Sequence, residues 1–141
     1  MEQMLDKGTF LPGIDIRQGG LLYDSEQMKY AGDLLHEAGH LAVLAPEDRA
    51  VAQSPDKLNG DLGEGAAEMA AIAWSWAALK HLELEPEVVF HEHGYKGGGK
   101  GLIENFSSGC YVGVSILQWV GMSNAAYPAM ASWVRTKERA C

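Results

Sequence analysis

Cysteine is scarce in this chain: Cys110 and Cys141 are the only two among 141 residues. Two cysteines, one of them the last residue, make no disulfide framework, which points to a reducing compartment. Long apolar runs are lacking too. The most apolar stretch, 69–79, is far too short to span a bilayer. The first residues, Met1-Glu2-Gln3-Met4-Leu5-Asp6-Lys7, lack the basic start and apolar run of a secretory signal. The chain is therefore expected to be cytoplasmic, with no membrane partner. Positive charge is also short: 11 Lys and Arg against 19 Asp and Glu leave a net charge of −8. A nucleic-acid surface needs clustered basic residues, so no nucleic-acid partner is expected. The basic residues that do gather, Arg135, Lys137 and Arg139, read as favourable charge at a helix C-terminus.

What is present is apolar mass. At 47% hydrophobic and 21% charged, residues 1–141 read as one domain with a real core. The start, 1–13, reads as a loose lead-in ending in the turn signal Leu11-Pro12-Gly13. Ile14-Asp15-Ile16-Arg17 and Leu21-Leu22-Tyr23, separated by Gly19-Gly20, predict two short strands joined by a Gly-rich turn. Asp24 and Gln27 have the spacing of a capping box and predict a first helix over 25–45, stopped by Pro46. The polar stretch 46–63, with Pro55 and Asn59-Gly60, predicts loop. A second helix is predicted over 63–82, apolar nearly all round in its middle. Such a helix is buried on most faces or supplies an oligomer contact; a central core helix is favoured, with a homodimer as the alternative. Residues 87–93 read as a strand, 94–101 as a mobile Gly-rich loop, and 103–120 and 124–138 as two more helices, the last capped by Asn124.

Inside the first helix lies His36-Glu37-Ala38-Gly39-His40. Residues four apart share a helix face, so His36 and His40 can offer two imidazole nitrogens to one ion. Glu37, one step round, can reach a water on that ion as a general base without binding the metal. This is the arrangement of a zinc hydrolase, with zinc expected at one per chain. The pattern is short and arises by chance in roughly a few per thousand chains of this length. A catalytic zinc normally takes a third protein ligand. The candidate is Glu64, in Asp61-Leu62-Gly63-Glu64-Gly65-Ala66-Ala67-Glu68 at the start of the next predicted helix. Gly39, between the candidate ligands, reads as allowing close approach of another helix or of substrate, or else as a tolerated packing glycine.

These two segments resemble the gluzincin group of zinc metallopeptidases, in which His-Glu-x-x-His on one helix is followed by a Glu opening a second. Gly63-Glu64-Gly65-Ala66-Ala67-Glu68 is similar to that second motif, with Gly63 where the group often has Asn. The resemblance implies His36, His40 and Glu64 as zinc ligands, Glu37 as general base, and Glu68 receiving an N–H from a ligand histidine. The chain also resembles the small ImmA/IrrE-type metallopeptidases, and under that alignment Glu68 is the ligand; the shape of the motif favours Glu64. The resemblance spans roughly residues 20–80. It implies an α+β, helix-rich minimal zincin-like domain with a short N-terminal sheet flanking the active helix, acting on a peptide or protein substrate. Two departures stand out: the chain is much shorter than a typical gluzincin catalytic unit, and no motif singles out the Tyr or His that stabilises the oxyanion in that group.

The remaining motifs carry less. His91 and His93, two apart on a predicted strand, would project from one face; they could complete a site with His36 and His40 or lie on an exposed strand edge. His93 and Tyr95 are candidates for polarising a substrate carbonyl. Residues 94–101 nearly match a phosphate loop, but Gly101 stands where the magnesium-binding hydroxyl belongs and too little chain follows for a nucleotide-binding sheet. Cys110 carries no mark of a nucleophile and is expected to be buried. Trp74, Trp76, Trp119 and Trp133 suit helix cores or an interface. A second function class stays open: a non-catalytic zincin-like interaction module with a structural or vestigial metal.

Overall fold

The strand pair forms as the alternation predicts. In a computed structural model describing residues 1–5, 12–53, 58, 60–124 and 126–139, β1 (Ile14–Arg17) pairs antiparallel with β2 (Gly20–Tyr23). Ile14 lies opposite Tyr23 and Arg17 opposite Gly20. The two-residue connection, Gln18 and Gly19, has positive φ at both positions, the twist that a tight hairpin favours. Ile14 and Ile16 point inward while Arg17 is exposed. Part of the expected lead-in (6–11) and of the expected loop around Pro55 and Asn59 lies outside the described residues.

Five helices follow among the described residues: α1 (Gly32–Val43), α2 (Pro46–Ala50), α3 (Glu64–His81), α4 (Gly99–Ser107) and α5 (Val114–Trp119). The architecture is α+β. The hairpin packs against α1 through β2, and α1 packs against α3. α3 is the central core helix: Ala70, Ala73, Trp76, Ala77 and Leu79 are all buried. They pack with Val43 of α1, Phe106 of α4, Leu117 of α5, and Val89 and Phe90 between α3 and α4. A smaller cluster of Ile16, Leu41, Leu44, Ala52 and Leu58 joins the hairpin to the other side of α1. No helix among the described residues is long and apolar enough to cross a membrane.

Gly39 marks where the two main helices meet. A methyl group there would stand 3.0 Å from the Ala71 carbonyl oxygen and 3.0 Å from the Trp74 ring. It permits close approach of a helix, one of the two expectations for it.

Several boundaries differ from expectation, each for a tertiary reason. The first helix starts at Gly32 rather than 25, because Asp24 spends its carboxylate elsewhere. It accepts N–H groups from Leu5 (3.0 Å) and Glu26 (3.1 Å) and the Gln27 side-chain amide (2.8 Å), closing a turn instead of capping a helix. Pro46 does end α1, but it also opens α2, where a missing N–H costs nothing. Residues 87–93 are not a strand: a 3₁₀ turn at Pro86–Val88 leads into further turns, and no strand among the described residues lies beside them to pair. The expected helix over 103–120 is two. Gly109, with φ +85°, ends α4 in a left-handed turn, in which the Cys110 N–H reaches the Asn105 carbonyl (2.8 Å) and the Gly109 N–H that of Phe106 (3.2 Å). Cys110 is exposed in that turn, not buried.

The last expected helix, 124–138, is absent among the described residues because its backbone is bonded to other elements. The Arg135 N–H donates to the Ala42 carbonyl (2.9 Å), the Ala131 and Ser132 N–H groups donate to Met122, and the Trp133 carbonyl accepts from Trp74 Nε1 (2.9 Å). Asn124 caps a turn, accepting from the Ala126 N–H at 2.9 Å. The basic residues expected at the end of that helix serve other elements. Arg135 is fully buried, with two 2.9 Å bonds to Asp61 and one of 3.3 Å to the Val43 carbonyl. Arg49 reaches the Leu44 carbonyl at 3.0 Å. Two guanidinium groups thus sit at the C-terminus of α1, where carbonyls lack helical partners and the helix dipole favours positive charge. Lys137 lies over the Trp119 ring, which is half exposed rather than in the core, and Arg139 pairs with Asp48.

Candidate metal centre

The helical spacing of His36 and His40 is met in α1, and α3 supplies the third group. His36 Nε2 and His40 Nε2 are 3.2 Å apart. Glu68, in the second turn of α3, sets Oε2 2.8 Å from His40 Nε2 and Oε1 3.4 Å from His36 Nε2. These three residues could hold a metal ion: one ligand atom from each lies within 4.8 Å of the others. Ligand atoms about 2.0–2.2 Å from a tetrahedral ion stand roughly 3.3–3.6 Å apart, close to the 3.2 Å between the two Nε2 atoms and the 3.4 Å from Glu68 Oε1 to His36 Nε2. Two imidazole nitrogens and one carboxylate oxygen are also a donor set that zinc takes at catalytic sites. The residues fit a metal.

Glu64, favoured from the motif, is not in this group. It is the first residue of α3 and is exposed. Glu64 and Glu68 are four apart and share a helix face, so the difference is axial, about 6 Å along α3. Contact between Gly39 and Ala71 fixes that register, placing His40 opposite the turn that carries Glu68.

Electrostatics bind the group together. Burial opposes a charge on His36, but its hydrogen bond to Glu68 and the charges of Glu68, Glu37 and Asp33 outweigh that and raise its pKa. Burial works against ionised Glu68 as well, yet its bonds to both histidines hold its carboxyl far below the usual carboxylate range. Glu37 differs. Only 4% exposed, it has its pKa raised by burial, the two histidines pulling the other way, and its Oε2 is buried with no hydrogen-bond partner among the described residues. A buried carboxylate oxygen without a partner is costly, and a catalytic role is one explanation for keeping it.

The Gly-rich stretch is not simply a loop. Tyr95–Gly97 form a 3₁₀ turn, and α4 begins at Gly99. Tyr95 Oη lies 2.9 Å from His36 Nδ1. Burial, helped by the carboxylates of Glu68, Asp33 and Glu37, pushes the Tyr95 phenol well above its ordinary range and keeps it protonated. The two downstream histidines do not join His36 and His40. His91 is bound to Asp33 of α1 at 2.8 Å and stacked on Tyr30 with ring centres 3.9 Å apart. His93 is exposed beside Glu92. With Tyr30, Phe90, Ile103 and Glu104 these histidines line a cavity of about 710 Å³. None of His36, Glu37, His40 and Glu68 lines it. Of its lining residues, His91 pairs with Asp33 of α1 and Phe90 packs against Tyr95, ring centres 5.1 Å apart.

The Asp33–His91 pair and the Tyr95–His36 bond escaped sequence reasoning. Asp33, one turn before His36 on the same helix face, was the available signal; its partner is 58 residues away. Comparison with protein families, with curated proteins and with solved structures finds no match for this chain.

Proposed function

We propose that this chain is a zinc-dependent hydrolase acting on peptide bonds, with a zincin-like site made by His36, His40 and Glu68. The observation that carries the reading is the convergence of two Nε2 atoms and a carboxylate beside a buried glutamate. A zinc ion bound there supplies an activated water and polarises a carbonyl. The chain's own residues do the rest. His36 and His40, one helical turn apart on α1, and Glu68 from α3 would hold the ion. Glu37, its carboxyl raised above the usual carboxylate range by burial, is suited to accept a proton and return it to a leaving amine. The choice of zinc rests on the donor set, and that of a peptide substrate on the resemblance to gluzincins and ImmA/IrrE-type enzymes.

The test is metal content of the purified native protein together with turnover of a quenched fluorescent peptide library by native protein and Glu37→Gln. About one zinc per chain in both, with turnover lost only in the variant, supports the reading. Unchanged turnover in Glu37→Gln would sink the proposed role. A second reading, a non-catalytic interaction module with a structural or vestigial metal, is favoured by the direct contacts of Glu68 with both histidines, which tie α3 to α1 by themselves. It predicts no turnover by the native protein and an intact fold in Glu37→Gln.

A further inference from the structure

Tyr95 is held where a tyrosine is seldom found. Its φ of +55° lies in the left-handed region that bulky residues avoid, and glycines on both sides, Gly94 and Gly97-Gly98, let the chain make the turn. Its ring packs against Phe90 and meets the His36 ring edge-on, 85° between planes with centres 5.1 Å apart. The hydroxyl ends 2.9 Å from His36 Nδ1. Strained backbone at a bulky residue persists only where its surroundings insist on it, and here they deliver one polar atom to one ring nitrogen.

The two nitrogens of His36 thereby acquire different tasks. Nε2 faces His40 and Glu68, and Nδ1 faces Tyr95. His40 offers a contrast within the same site: its Nδ1 is buried with no hydrogen-bond partner among the described residues. We propose that Tyr95 is a positioning residue for His36, its hydroxyl oxygen accepting the Nδ1–H so that the Nε2 lone pair stays aimed into the metal group. This rests on reading His36, His40 and Glu68 as a metal site. A hydroxyl rotates freely and both donates and accepts, so it also suits the ring when Nε2 carries the proton and bonds Glu68. Tyr95 therefore fits both the metal-free and the metal-bound tautomer, which a carbonyl or carboxylate partner cannot do. It stands behind the ring, since the two nitrogens point away from each other. That is a different task from the oxyanion contact expected from the sequence.

The experiment compares native protein with Tyr95→Phe, measuring zinc affinity by competition with a chromophoric chelator and the visible spectrum of the cobalt(II)-loaded forms. Tyr95→Phe keeps the ring and its packing, and thermal melting of the metal-free proteins checks the fold. Loss of a hydrogen bond to a ligand histidine typically weakens metal binding about 10–100-fold, and that loss, with a changed cobalt spectrum, is expected. A variant within threefold of native affinity and with an unaltered cobalt spectrum overturns the proposal. Should Tyr95→Phe not fold, ¹⁵N shifts of the His36 ring in the zinc-loaded native protein decide: a protonated, hydrogen-bonded Nδ1 upholds it, and any other state overturns it. Native protein that binds no zinc overturns the metal site itself and this role with it, an outcome visible without any variant.

Discussion

Replacing Glu68 by glutamine separates the site as folded from the site as first read from the motif. The change keeps the side chain's size and removes the charge that stands 2.8 Å from His40 Nε2 and 3.4 Å from His36 Nε2. Loss of a partner one shell out from a metal costs about 10–100-fold in affinity, so weakening a direct ligand should cost at least ~100-fold, about 2.8 kcal/mol. Glu64→Gln removes the same charge one turn earlier, from an exposed position. At roughly 8 Å through water, a carboxylate and a divalent ion attract by about 1 kcal/mol, and salt at physiological strength leaves under half of that. The expected change is therefore about twofold. Competition titration with a zinc chelator reads both variants, and circular dichroism melting confirms that each is folded. Equal losses in the two variants, or a Glu68→Gln protein that binds zinc as tightly as the native one, would refute the assignment of Glu68 and the helix register behind it.

Two further outcomes follow from the electrostatics. Without metal, the His36–Glu68 pair should stabilise the fold in a window of pH. Glu68, depressed below its ordinary 4.5, contributes above that value and loses the contribution as pH falls through its folded pKa. His36, raised above 6.5, contributes below that value and loses it as pH rises through its folded pKa. The melting-temperature difference between metal-free native protein and Glu68→Gln should peak between about pH 4.5 and 6.5 and shrink on either side; a difference flat with pH would refute the coupling. Separately, Asp61→Asn leaves the fully buried Arg135 without its carboxylate and should cost about 3–5 kcal/mol in chemical denaturation, whereas a loss under about 1 kcal/mol would show that the carbonyls around Arg135 suffice.

Legibility in the sequence followed the range of the forces involved. The hairpin was readable because alternation and a tight turn are local, and α3 because an alanine-rich stretch of eighteen residues with so little polar surface has few other options. The segments 87–93 and 124–138 misled for the opposite reason. Their propensities are those of strand and helix, but Pro86 and the carbonyls of Ala42 and Met122 take their backbone groups. Nor could composition show that Arg135 goes inside, since its partner Asp61 and the carbonyl of Val43 are far away in sequence.

The candidate site divides along the same line. That His36, Glu37 and His40 stand together was determined by the sequence alone, because the helical period of 3.6 residues acts within one turn. Which glutamate faces them was not. Glu64 and Glu68 share one face of α3, and no local rule separates them. The choice was made where α1 meets α3: Gly39 lets the helices close on Ala71 and Trp74, and that contact slides Glu68 opposite the histidines while leaving Glu64 in solvent. Tertiary packing likewise carried Tyr95, 59 residues from His36 in the chain, to the back of that ring, because only packing can join groups that no periodicity relates.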